Sequence, residues 1–146
     1  MQKAMRNQVF FRTRLFENKE PKPHFINPRC FGEDLVSWLL QRLQGMPFSL
    51  GEPIQEDYGW GFWVEGDYWV AVGVMEDSIG VENPEWLVTV SFDTGFSLRK
   101  RLLGKADTSL QMRICEALNS VLHEEPAITD LRWCDVEETD CGDNPC

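Results

Sequence analysis

The chain has 146 residues, a hydrophobic fraction of 42% and six tryptophans. That is enough to bury a core in one domain without staples, and it excludes wholesale disorder. A formal net charge of −10 disfavours nucleic-acid binding, because a phosphate backbone needs a basic footprint.

The stretch NQVFFRTRLF, 7–16, places Val9, Phe11, Thr13 and Leu15 on one face and Phe10, Arg12, Arg14 and Phe16 on the other. A period of two predicts a half-buried strand. Three prolines and no periodicity predict a loop over 17–30. Leu35, Trp38, Leu39 and Leu43 then recur at helical spacing, with acids in the first turn and Gly45 and Pro47 beyond the end. These features predict a helix over 33–44 with that stripe inward.

A second Pro/Gly loop is expected over 46–56. Next, Trp60, Phe62 and Val64 alternate, and Tyr68, Val70, Val72 and Val74 alternate after Glu65-Gly66-Asp67. Gly66 can take a positive φ, so the pattern predicts a β-hairpin. An acidic loop follows over 75–85, then a third strand over 86–93 with Trp86, Val88, Val90 and Phe92 on one face. Residues 94–105 fit either a fourth strand or a short helix. A second helix is expected over 106–125, with Leu110, Ile114, Ala117, Leu118, Val121 and Leu122 as its apolar stripe and Pro126 as its breaker. The last strand covers 127–133.

This order, β-α-β-β-β-α-β, predicts an α+β fold. Alternating strands close in sequence indicate a mainly antiparallel sheet of four or five strands with two helices on one face, a two-layer sandwich. Residues 1–133 are expected to form one domain and 134–146 an acidic, flexible cysteine-containing tail. No apolar run approaches the ~20 residues that span a bilayer, and the start MQKAMRNQVF lacks the marks of a secretory signal. A soluble, cytoplasmic protein without membrane association is expected.

Charge is segregated along the sequence. Residues 1–50 carry a balance of +4, 51–98 carry ten acids and no base, 99–113 carry +4, and 114–146 carry −8. Such an acidic block attracts basic partners. Five cysteines (Cys30, Cys115, Cys134, Cys141 and Cys146) make an odd number, which favours free thiols over a disulfide framework. Cys115, on the apolar side of the second helix, reads as a small buried hydrophobe.

Chemistry has few footholds. His24 and His123 lack helpful neighbours, so no metal site of three or four ligands and no cofactor is expected. Cys30, just before a helix start, could pair with His24 as an activated thiolate. Glu56 and Asp57 stand before the aromatic strand, where a carboxylate beside Trp60 or Trp63 could act as an acid or bind a ligand with Arg12 or Arg14. The competing reading makes Asp57 a turn cap, with Tyr58 and Trp60 closing the end of the core.

The run EDYGW, 56–60, with the helix EDLVSWLLQRL, Pro53 and the final LRW, resembles small uncharacterised bacterial proteins with an E-D-(W/Y)-G-W motif. The resemblance implies a bacterial origin and assigns no activity.

The leading expectation is a non-catalytic, acidic binding protein of the immunity or inhibitor kind, engaging a basic protein. Its surface would include Glu56, Asp57, Tyr58, Trp60 and Trp63 with Glu65, Asp67, Glu76 and Asp77. The alternatives are a small-ligand binder or enzyme using Glu56 and Asp57 beside Trp60, and a module that pairs with a second copy through an edge strand. Both a monomer and a homodimer fit.

Overall fold

A computed structural model of the chain describes residues 6–92, 108–135 and 141–145. It is an α+β fold. Strands β1 (Gln8–Arg12), β2 (Ile54–Glu56), β3 (Gly59–Val64), β4 (Tyr68–Val74), β5 (Glu85–Phe92) and β6 (Thr129–Cys134) form one antiparallel sheet in the order β2-β3-β4-β5-β1-β6. Helix α1 (Glu33–Leu43) packs on β3, helix α2 (Thr108–His123) packs on β5, and the helices touch each other.

Alternation explains which face the helices cover. The register Phe62↔Val70↔Val90 and Trp60↔Val72↔Val88↔Val9↔Trp133 runs across the sheet as one apolar row after another. These side chains join Leu35, Val36, Leu39, Leu43, Ile114, Leu118 and Leu122 in one core. Burying each large side chain contributes about 1.5–3 kcal/mol. Cys115 is fully buried in the same core.

The opposite face carries Gly61, Trp63, Trp69, Ala71, Gly73, Leu87 and Phe10. Trp69 lies across Gly61: a Cβ there would meet the Trp69 ring at 2.5 Å as well as the Val70 carbonyl. Only glycine fits under that ring.

Four differences from expectation have physical causes. The sheet has six strands, because the loop expected over 46–56 contains β2. With three residues after Pro53, it is too short to show a period and sits at an edge, where proline is tolerated. β1 ends at Arg12, and the Leu15 N–H then bonds to Thr13 Oγ1 at 3.2 Å. That turn shifts the period, so Leu15 is exposed and Phe16 is buried between Trp38 and Trp86. In α1, Val36 takes the buried position expected of Trp38, which is half-buried under the Arg42 guanidinium at 4.9 Å.

Finally, the expectation of free thiols is overturned at one pair: Cys134 and Cys141 form a disulfide, while Cys30 and Cys115 keep their thiols outside any disulfide. The odd number of cysteines favoured free thiols, and sequence order does not show Gly142 returning to pair with Trp133. The expected alternatives for 94–105 lie outside the described residues.

Candidate functional site

The motif EDYG is a hairpin turn. Glu56 pairs with Gly59, which leaves Asp57 and Tyr58 as a two-residue loop. Glu56, Asp57 and Tyr58 are all exposed, Tyr58 by 70%.

The proline loop is clamped onto this turn through its backbone. The Asn27 side-chain amide donates to the Asp57 carbonyl at 3.0 Å, and the Ile26 N–H donates to Gln55 Oε1 at 2.7 Å. Trp60 is 5% exposed. Its Nε1 donates to the Cys30 carbonyl at 2.8 Å, and the Phe25 and His24 rings stand edge-on to it at 5.3 and 6.2 Å. Trp60 is therefore the anchor that holds 24–30 against the sheet.

Strand register places three connections at the same end. Glu56 faces Gly59, Val74 faces Trp86 and Arg12 faces Glu85. The exit of β1, the turn 57–58 and the connection 75–84 therefore meet at what we call the Tyr58 end. Asn18, 5% exposed, ties the chain leaving β1 to the connection 75–84 by donating to the Ser78 and Val81 carbonyls at 3.1 and 3.0 Å. Among the described residues, the exposed large apolar side chains are Leu15, Ile26, Met46, Tyr58 and Val81. All but Met46 sit at this end. Strand spacing of ~4.8 Å sets them across about 20 Å.

The predicted set divides. Trp63 points to the opposite face of the sheet from Trp60 and packs on Trp69 at 5.1 Å. Arg12 and Arg14 lie three strands from β3. Arg12 contacts Glu85 at 3.3 Å and Asp130 at 3.8 Å, and Arg14 contacts Glu82 at 3.3 Å. Neither faces Glu56 or Asp57. Arg12 lines a cleft of about 460 Å³ with Glu85, Asp130, Arg132 and Asp143. Tyr58 lines a separate groove of about 220 Å³ on the outer face, over Ala71, Gly73 and Leu87.

The acids divide too. Glu76, Asp77 and Glu82 join Asp57 at the Tyr58 end, whereas Glu65 and Asp67 lie at the far end of β3. There Glu65 Oε1 accepts the Ser49 N–H at 2.7 Å. The basic first block and acidic second block of the sequence meet in space: Arg29 contacts Glu76 at 3.8 Å, besides the Arg14–Glu82 and Arg12–Glu85 pairs.

Burial shifts two titratable groups in this region, Cys30 and Asp34. His24 Nε2 faces Glu33 Oε2 at 2.5 Å rather than a thiol. The Cys30 Sγ lies 3.7 Å from the Asp57 carbonyl, and burial pushes its thiol pKa up. That is the reverse of the lowering expected from a helix start. Burial also pushes the Asp34 carboxyl up, against opposing pulls from the Glu17 and Leu35 N–H groups and Lys22. Lys22, Glu33, Asp34 and Trp38 line a cavity of about 430 Å³ beside α1.

Among the described residues, no three His, Cys, Asp or Glu side chains are grouped to hold a metal ion, and no helix is long and apolar enough to cross a membrane. Ile26, Leu15 and Val81 were missed by sequence reasoning. Ile26 and Val81 each stand alone in a stretch assigned to loop, the only hint of exposure, whereas Leu15 was placed on one face of the first strand with Val9 and Phe11. Comparisons with protein-family models, with curated proteins and with solved structures found no match to this chain.

Proposed function

We propose that the chain is a non-catalytic binding protein whose Tyr58 end docks a basic protein partner. The observation that carries this reading is the gathering of Leu15, Ile26, Tyr58 and Val81, all exposed, on one set of cross-braced loops. Isolated exposed apolar residues are ordinary, but a cluster rimmed by charge marks an interaction surface. Asp57, Asp77 and Glu56 supply the rim and favour a cationic partner, as does the overall charge of −10. Tyrosine suits the centre of such a surface, because it adds large contact area at little entropic cost.

The raised thiol of Cys30, and the separation of Arg12 and Arg14 from Glu56 and Asp57, weigh against an activated nucleophile or a zwitterion cleft at this place. The test is affinity capture from native bacterial lysate, comparing the wild type with a Tyr58→Ser/Ile26→Ser double variant at low and high salt. A cationic protein enriched by the wild type, and lost with the variant or with salt, supports the reading. Equal recovery by both proteins refutes it.

A further inference from the structure

We infer that the Cys134–Cys141 disulfide is a thiol-exchange site that controls access to the β6 edge of the sheet. β6 is the outermost strand beside β1. Trp133 faces Val9 on its inner side, and on its outer side it pairs with Gly142. The Trp133 N–H donates to the Gly142 carbonyl at 2.5 Å, and the Gly142 N–H donates back at 2.9 Å. This short return covers the edge at Trp133, where backbone groups would otherwise face outward.

Among the described residues, the disulfide is the one covalent fastening of the return, beside the Trp133–Gly142 pair. Cys141 follows Cys134 by seven residues and Gly142 is the next residue along. The Arg6 guanidinium packs where a Gly142 Cβ would stand, and Pro145 is buried. The two sulfurs differ in access: Cys134 is 4% exposed, whereas Cys141 is exposed. An incoming thiolate therefore reaches Cys141 Sγ, and Cys134 is the leaving group.

With a dithiol as reductant, attack on Cys141 Sγ breaks the Sγ–Sγ bond and releases Cys134 as a thiolate, which takes up a proton. The dithiol's second sulfur then displaces Cys141. The reductant departs as a cyclic disulfide, and two electrons and two protons have passed to the protein. In the reduced form the Trp133–Gly142 pair loses its neighbouring covalent tether and is held by its two backbone hydrogen bonds, so the β6 edge at Trp133 opens to pair with an extended strand. The oxidised form is closed.

Hydrogen exchange of the Trp133 amide, with peptide mapping of alkylated cysteines and dithiothreitol as the probe, tests this. Before reduction, Cys134 and Cys141 should resist alkylation. After reduction both should alkylate, and Trp133 exchange should rise about tenfold or more, the mark of a local opening, while Val70 and Val88 in the central strands stay protected. A Cys141→Ser variant should show the fast exchange without reductant. Three results would each overturn the inference. Both cysteines could alkylate before reduction. Trp133 could stay protected once both thiols are free. Val70 and Val88 could accelerate as much as Trp133, which would make the bond a support of the whole fold.

Discussion

At one end of β3, Asp57 and Tyr58 are exposed, and the Asn27 amide donates to the Asp57 carbonyl at 3.0 Å. At the other end, Glu65 turns its carboxylate back to the Ser49 N–H at 2.7 Å, and Glu65 N–H donates to the Ser49 carbonyl at 2.8 Å. The two turns have similar acidic sequences, yet the Glu65 carboxylate accepts a backbone N–H across the loop while Glu56 and Asp57 stand exposed. A carboxylate at a turn says little by itself. What matters is whether a backbone N–H stands within reach.

The largest expected effect comes from removing the anchor behind the exposed turn. Trp60→Ala should cost about 3–5 kcal/mol, as deletion of a buried aromatic ring does, measured by urea unfolding. Trp60→Phe is sharper. It keeps most of the ring, leaves the Cys30 carbonyl without its donor, and should cost about 1 kcal/mol. Hydrogen exchange should then quicken in 24–31 and leave the Glu65 turn untouched. Equal loosening of both turns would break the comparison.

Next in size is the Glu65 turn itself. Glu65→Ala should cost about 1 kcal/mol, the net worth of a typical hydrogen bond. Glu65→Gln retains an acceptor and should lie near the wild type. The corresponding changes at the exposed turn, Asp57→Ala and Tyr58→Ser, should stay within ~0.5 kcal/mol while weakening partner capture. A Tyr58→Ser variant as unstable as Trp60→Phe would make Tyr58 structural and remove the contrast.

Sequence pattern carried the helices, the β3–β4 hairpin and β5, because each spans enough residues for a period to show. It lost β2, whose three residues Ile54–Glu56 are identified only by their partners on β3. Losing β2 also made EDYG look unexplained, since a turn is visible only when both of its strands are. The grouping of Arg12 and Arg14 with Glu56 failed for a related reason. Sequence order does not reveal that β4 and β5 lie between β1 and β3. The basic and acidic blocks, segregated along the sequence, meet in space as contacts such as Arg14–Glu82 at 3.3 Å. Such exposed pairs contribute little to stability.

The smallest predicted effect concerns the residue that fastens the first loop to α1. Asp34 Oδ2 accepts the Glu17 N–H at 2.7 Å, and Oδ1 accepts the Leu35 N–H at 3.0 Å. Burial outweighs these bonds and raises the carboxyl above the ordinary aspartate range. The folded protein therefore holds the Asp34 proton more tightly than the unfolded chain does. Its contribution favours folding fully below the unfolded pKa of about 3.9 and is lost as pH rises through the higher folded value. That slope is opposite to the one a salt-bridged aspartate produces. Asp34→Asn cannot titrate, and its amide nitrogen cannot accept the Glu17 N–H. It should therefore be the less stable protein at low pH and should gain on the wild type as pH rises through the carboxylate range. Urea midpoints of the two proteins across that range provide the measurement. A wild type that instead pulls ahead with rising pH would mean that the Glu17 and Leu35 amides outweigh burial at this carboxylate.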